Sequence, residues 1–584
     1  MAFFAMSLAG DPARFHEEVL PVFVRHCTEC HQKSGPAPFP LTDFQEVRKR
    51  FTEIEEVLAT GRMPPWLPAP QEDAFRGERR LSAAEQALLR AWKEQGFPEG
   101  DPSRAVAVPE RKDGWTLGTP DLVVQMDVPY TVPASGRDVY RHFVLPLRLT
   151  NSVHVAAWEL RPGSRTVHHA FLKVDSNGEA RRQDARDPDP GFPGMDSPAG
   201  IQPPAGHFAS WQPGAAPVRN PPGLPWVLEA GTDLVLQAHL QPSGKPETLR
   251  MAVGLWLSST PPTNQPVKVG LVQYGFVIPP GSTNTWAAET FPIDGDCEVL
   301  GILPHSHYLA RTIEAEAEMP DGRKRSLLRI PDWDFNWQGA YHYEKPVFLP
   351  AGTRIHYRVR FDNSRSNPRN PFDPPKETRF GLNTTDEMAE LWIQLLPRDP
   401  RSAERLRNAV FRQTTRDVVA YNKERLRIDP KDPAAFLNLG RVLLARQQAT
   451  NAFRMLSQAV ALDPGSAEAH YSLGLTLRIL SARDEARHEF QEAARLDPKM
   501  GRAWGNLGFL EVESGDTTAG IESFKKAIEL NPKDTVSQAA LGSILSQLGR
   551  HAEALPFLRA AAVADPNDLE SRRLLEAAKS ATNP

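Results

Sequence analysis

Val299-Leu300-Gly301-Ile302-Leu303-Pro304-His305-Ser306-His307-Tyr308 is an apolar run that ends in a His-x-His pair. An extended strand alternates its side chains with a period of two, so both imidazoles are expected on one face. Two imidazoles on one face suit Zn, Cu, Fe or Ni. Taken alone, the stretch is equally readable as a cross-strand or surface histidine pair.

The rest of the chain narrows that choice. At 584 residues it has length for three to five domains, each able to bury its own core. A formal charge of −4 argues against a nucleic-acid or polyanion partner. No apolar run approaches the twenty or so residues that a membrane span needs. Only 8 of the 55 prolines follow residue 400. Proline breaks helix interiors, so strands and loops are expected before that point and helices after it. Three cysteines exclude a disulfide framework. Met1 to Gly10 is a short apolar run ending in small residues, without a basic start. It reads either as the stump of a signal peptide that begins upstream or as a frayed terminus.

Cys27-Thr28-Glu29-Cys30-His31 is a C-x-x-C-H sequence. Two thiols at this spacing can form thioethers to a haem while the following imidazole ligates the iron. The competing reading, half a zinc site, needs a second Cys/His pair, and the one remaining cysteine is Cys297. Thr42-x-x-Gln45 predicts a capping box ahead of one helix through Phe44, Val47, Phe51, Ile54 and Leu58. That helix is expected to stop at Gly61, and Met63-Pro64-Pro65-Trp66 follows. Met63 is a candidate second axial ligand, with core packing as its alternative. Ser82-x-x-Glu85 predicts the cap of a last helix ending at Gly96. The segment resembles a small class-I-like c-type cytochrome domain, which implies a covalently attached haem c held by Cys27, Cys30, His31 and Met63.

A charged linker at 101–114 separates residues 1–100 from strand-like sequence. Leu122 to Met126, Val153 to Trp158, Ala170 to Val174 and Leu234 to His239 have strand composition between turn residues. Strands without long intervening helices point to antiparallel sandwiches. Thr166-Val167-His168-His169 begins one strand and His239 ends another. Adjacent histidines on a regular strand face opposite ways, so His168 and His169 can share a metal only at a strand end or through different ring nitrogens. Asp184 to Pro225 is a long loop dense in Pro and Gly that contains Ser210-Trp211-Gln212-Pro213-Gly214. A second strand-rich block at 266–400 holds the His-x-His pair and the acidic turn Asp386-Glu387-Met388.

From Asp429 the chain repeats. Asp/Asn-Pro falls at 429–430, 463–464, 497–498, 531–532 and 565–566, a step of 34 residues. Leu-Gly recurs in phase at 439–440, 473–474, 507–508 and 541–542. Small residues recur at Ala452, Ala486, Gly520 and Ala554, and large ones at Leu456, Phe490, Phe524 and Leu558. This is the tetratricopeptide period and pattern, so 429–584 is expected to be an α-solenoid. Residues 401–428 read as a connecting helix and 567–580 as the closing one.

His168-His169, His239, His305-Ser306-His307 and Met388 occur in the order found in the ascorbate-dependent type II copper monooxygenases, the family of peptidylglycine α-hydroxylating and dopamine β-monooxygenases. The resemblance covers residues 115 to 397. It implies two jelly-roll-like β-sandwich copper domains, 115–265 and 266–400, and two copper ions. His168, His169 and His239 would bind the electron-transfer copper; His305, His307 and Met388 would bind the copper that activates dioxygen. Two imidazoles with a soft thioether favour Cu(I) and leave positions open. The chain departs from the peptide-amidating members at Leu303, Glu390 and Trp392, where they carry arginine, asparagine and tyrosine. A peptide C-terminus is therefore not the expected substrate, and Glu390 favours a cation or hydroxyl.

The expected activity is hydroxylation of a C–H bond of a small molecule or small peptide by O2 with two one-electron reductions. The haem is expected to feed the histidine-only copper first and the methionine copper next. The alternative is a non-catalytic copper and haem electron-transfer or assembly protein on the same fold. Covalent haem implies maturation in the periplasm or another extracytoplasmic space, and the repeats imply a protein partner.

Overall fold

The computed structural model describes residues 13–33, 35, 37–109, 114–195, 198, 200–213, 217–565 and 568–582. The apolar run at 1–10, the end of the linker at 110–113, Gly214 and Pro566 lie outside them.

Near the N-terminus the apolar spacing from Phe44 to Leu58 belongs to two helices, Phe44–Lys49 and Phe51–Ala59, rather than the one expected. The break falls at Arg50, whose N–H is shared between the Glu46 and Val47 carbonyls. Shared bonds of this kind are common where a helix ends. The cap is also one residue later than expected. Asp43, not Thr42, accepts the Glu46 N–H at 3.0 Å, because a carboxylate at the N-cap satisfies an orphan donor. The capping box at Ser82 and Glu85 does form, ahead of the helix Ala83–Glu94. Phe15, Phe23, Phe44, Phe51 and Trp92 bury together as the core of this segment.

Among the described residues the strands of the β regions pair antiparallel, and a single parallel bridge joins Phe380 to Glu387. In the first region one sheet orders Leu122–Gln125, Ala252–Ser258, Val153–Arg161 and Trp226–Leu228. The other orders Phe192–Pro193, Val139–Leu145, Asp233–Leu240, Val167–Asp175 and Ile201–Gln202. Trp158, Trp226 and Leu255 of the first sheet share one core with Phe143, Leu172 and Leu236 of the second. The Pro- and Gly-rich stretch from Asp184 to Pro225 supplies short edge strands, Ser210–Trp211 among them.

The second region has two four-stranded sheets. One orders Val267–Val272, Glu390–Pro397, Cys297–His305 and Tyr341–Leu349. The other orders Thr285–Pro292, Arg354–Phe361, Ala310–Glu318 and Lys324–Ile330. Alternating burial along Ala310–Glu318 and Arg354–Phe361 is the period-two pattern of a sheet with one covered face.

By internal contacts the chain divides into Met1–Gln413 and Thr414–Pro584. The connecting helix is Pro400–Ile428 and runs across that division. Beyond it come four helix pairs, from Pro433–Ala445 with Ala449–Leu462 to Thr535–Gln547 with His551–Ala564, and a closing helix Leu569–Thr582. The Leu-Gly glycines explain how the paired helices approach. A Cβ on Gly440 would lie 2.5 Å from Leu456, and one on Gly474 would lie 2.8 Å from Phe490. Each large residue of the second helix therefore occupies the space that a side chain on the first would fill.

Candidate metal centre

Two groups of metal-ligating side chains form, one on each β region. The first is on the ladder between Val167–Asp175 and Asp233–Leu240. His239 pairs with His169, but the next residue, Leu240, pairs with Val167. His168 is the extra residue of a β-bulge. A bulge breaks the strict alternation of a strand, and this one lets neighbouring histidines reach a single point. Ligating atoms of His168, His169 and His239 all lie within 4.8 Å of one another. The Nε2 of His169 is 3.1 Å from Nδ1 of His239. On the far side of its ring, His239 Nε2 donates to the Asp138 carboxylate at 2.6 Å, which leaves Nδ1 as a lone pair facing the other two rings.

Burial keeps these imidazoles neutral, which is the ligating form. It lowers His168 to about 4 and holds His169 well below the ordinary histidine value; His239 is lowered too, against the opposing pull of Asp138.

The second group is set by strand register. His305 pairs with Glu390 at the end of the ladder between Cys297–His305 and Glu390–Pro397. His307 lies just beyond the strand, not on it as the period-two reading expects, and its ring meets that of His305 at 5.2 Å and 86°. Met388 lies two residues before the partner strand begins at Glu390, and its Sδ lies 3.2 Å from His305 Nε2. Both histidines have their Nδ1 positions engaged, by the Gln338 side chain for His305 and by the Asp386 carbonyl at 3.1 Å for His307. Nε2 is left to bind in each. Burial and the neighbouring His305 bring His307 down to about 3.

Glu387 holds this turn together. Its fully buried carboxylate accepts the backbone N–H groups of His307 at 3.0 Å, Leu309 at 2.5 Å and Met388 at 3.1 Å, with the Ser306 hydroxyl at 3.1 Å. Burial pushes its carboxyl up to about 7 against the pull of those donors.

The two groups meet at Phe335, which is 3% exposed. Its ring stacks on His168 at 5.6 Å and stands edge-on to His307 at 5.5 Å. Tyr308 packs on the same ring at 4.7 Å. Phe335 and Gln338 belong to the same connection, between Lys324–Ile330 and Tyr341–Leu349.

The C-x-x-C-H residues occupy the turn after the helix Leu20–His26, where the His31 N–H returns to the Cys27 carbonyl at 2.9 Å. His31 Nδ1 donates to the Phe39 carbonyl at 3.0 Å, which leaves Nε2 as the nitrogen that could ligate. Burial, then the neighbouring Cys30, pushes the Cys27 thiol up to about 12. Met63 is half-buried beyond the helix Phe51–Ala59. These donor sets fit the groups that the sequence implies: three imidazoles, two imidazoles with a thioether, and a thiol pair followed by an imidazole.

Glu390 and Trp392 bond each other, indole N–H to carboxylate at 3.2 Å. Trp392 faces Gly270, where a Cβ would lie 2.7 Å from the indole. By register Leu303 pairs with Trp392 and His305 with Glu390, so all four share one face of the sheet.

Sequence reasoning did not assign Asp138, Gln338, Phe335 or Glu387. Glu387 adjoins a candidate ligand, which was a usable signal. Asp138 and Gln338 are 101 and 33 residues from the histidines they hold, and nothing local marks them.

Tetratricopeptide-repeat family models match residues 437–500 and 480–535, and another matches 511–578. The C-terminal region is therefore a tetratricopeptide-repeat array. Comparison with curated proteins gives no match. Among solved structures, YrrB, described as a TPR protein with an unusual peptide-binding site, is 22% identical. The likeness covers 28% of this chain and 83% of YrrB, with a TM-score of 0.26. MamA is 25% identical over 31% of this chain and 98% of its own, at a TM-score of 0.24. The pilF protein of Pseudomonas aeruginosa is 21% identical over 29% and 80%, at 0.27. No helix among the described residues is long and apolar enough to cross a membrane.

Proposed function

We propose that residues 115–397 form a two-site copper monooxygenase that hydroxylates a C–H bond, on two jelly-roll-like sandwiches that carry one site each. The observation that carries this reading is the buried ring of Phe335, which touches an imidazole of each donor set. Two chemically different sets so face each other across one side chain. Bound copper supplies one-electron cycling and O2 activation. The overall reaction takes R–H, O2, two electrons and two protons to R–OH and water.

The chain's own residues do the positioning. Asp138 and Gln338 fix the ring orientation of His239 and His305, as hydrogen-bond partners of metal ligands generally do. Glu387 sets the His305–Leu309 turn and Met388 in register. Phe335 packs between an imidazole of each group. Glu390 and Trp392, on the His305 face of the sheet, favour a substrate bearing a cation or hydroxyl over a carboxylate. A haem held by Cys27, Cys30, His31 and Met63 would supply electrons singly, and its covalent attachment would call for maturation outside the cytoplasm. The tetratricopeptide repeats dock a protein partner.

The test is to load the full-length chain with copper and supply labelled O2, an external reductant and a panel of small amines, alcohols and peptides. One labelled atom in a hydroxylated product is expected. Full copper loading with haem oxidation but no labelled product would favour the non-catalytic electron-transfer reading.

A further inference from the structure

Residues 66–76, which continue the Met63 loop of the haem segment, are bound along the second β region as an added strap. Ala69 N–H donates to the Arg329 carbonyl at 2.7 Å, and the Gln71 side chain donates to the Leu327 carbonyl at 3.3 Å. Asp73 takes a two-pronged ion pair from Arg325 at 2.7 and 2.5 Å. Phe75 bridges Tyr343 in antiparallel fashion, with Arg76 N–H on the His342 carbonyl at 2.7 Å and Glu344 N–H on the Ala74 carbonyl at 2.9 Å. Main-chain bonds spread over this many residues fix the strap in one register. A tether that merely linked two domains would not need them.

The strap seats one part of the haem segment against a specific aromatic residue. Trp66 lies edge-on to Tyr341 at 5.4 Å, and the Leu67 main chain bonds the Tyr341 hydroxyl. Tyr341 then leads to the methionine group in two ways. Across the ladder it pairs with Ile302, on the strand that ends at His305. Along the chain it follows Gln338, whose side chain holds His305 Nδ1. From Trp66 to a candidate metal ligand there is one ring contact, then the main chain from Tyr341 back to Gln338 and the hydrogen bond of its side chain to His305.

We propose that Trp66 and Tyr341 form the path by which electrons from the haem segment reach the second metal group directly, at His305, rather than by way of the histidine-only group. This rests on the haem and copper reading given above. With haem held by Cys27, Cys30 and His31 and copper held by His305, His307 and Met388, one electron would pass from ferrous haem, leaving it ferric, to one cupric ion, making it cuprous. No bond is made or broken, and neither aromatic ring changes its oxidation state. Packed bonded atoms carry an electron better than a gap does, so the strap sets the rate by holding Trp66 against Tyr341.

The test uses the full chain, with haem content fixed by its absorption bands and copper content by elemental analysis. Failure to bind haem or copper would overturn the functional reading and this route with it. With both bound, the haem is photoreduced without O2, and decay of the ferrous band reports electron loss to Cu(II). Trp66→Leu is expected to slow the decay at least tenfold, and Trp66→Phe to recover most of the rate. Arg325→Ala, which loosens the strap without touching an aromatic residue, should slow it as well. A chain carrying both His168→Ala and His169→Ala should keep the fast decay, and His305→Ala should lose it. An unchanged rate in Trp66→Leu, or a fast decay that needs His168 and His169 but not His305, would overturn the route while leaving the metal sites in place.

Discussion

The Sδ of Met388 lies 3.2 Å from Nε2 of His305, although the two are separated by 83 positions in the chain. What brings them together is the register of the ladder that pairs His305 with Glu390. A thioether and an imidazole at that separation are close enough to bind one metal ion. His168, His169 and His239 form a separate set on the other β region.

This division predicts selective copper loss. Met388→Ala should bind one copper fewer per chain and lose its affinity for Cu(I), with the three-imidazole site still filled. His239→Ala should lose the other copper. Metal analysis with Cu(I) competition checks both, and the division is wrong if both variants lose the same ion.

Asp138 meets the histidine-only group through His239, to which it is bonded at 2.6 Å. Asp138→Asn keeps the shape but removes the charge that favours Nδ1 as the free lone pair. Partners of this kind are worth about 10–100-fold in metal affinity. That drop is expected for the histidine-only site by copper competition, with the Met388 site unchanged.

Glu387→Gln should be costly for a residue that binds nothing. Its two oxygens accept three backbone N–H groups and a hydroxyl, and an amide can match at most part of that demand. A buried donor left without a partner costs about 1–3 kcal/mol. The variant is expected to unfold about 2 kcal/mol more easily in denaturant, and the altered His307 and Met388 geometry should weaken copper binding at that site alone. An unchanged midpoint would mean that the turn holds its shape without the carboxylate.

The strands and repeats were legible because their signals are local. Leu234 to His239 is read as a strand and is one, and the 34-residue period of 429–566 maps onto successive helix pairs. What eluded the sequence depends on long-range pairing. His168 and His169 side by side give no hint of the bulge, because the skipped residue is defined only against His239 and Leu240 of the other strand. The break at Arg50 was hidden because the apolar face continues through it. The strap was hidden too, since Pro68, Ala69 and Pro70 read as ordinary loop until Arg329 and Tyr343 are alongside.

The last prediction is that the repeats can be removed without loss of either metal group, provided the cut is made at the right place. The solenoid buries its own apolar residues: Leu456, Leu473, Phe490 and Leu507 form one cluster, and Phe524, Leu541 and Leu558 another. Repeat stability is local to neighbouring helices, so the array is expected to fold as a unit of its own. The helix Pro400–Ile428 is different. Its first turn packs so closely on the second β region that a Cβ on Gly295 would lie 2.6 Å from the Ser402 Cα. Leu406 is fully buried, and Arg412 pairs with Asp294. A chain ending at Ile428 should therefore keep its haem bands and both coppers and lose only the partner that the repeats hold. One ending at Arg398 should lose stability by roughly 2–5 kcal/mol, the usual cost of emptying a large aliphatic side chain's site in a core. Denaturant unfolding and copper content of the two truncations decide the matter. Copper loss in the chain ending at Ile428 would show that the repeats support the metal-bearing fold.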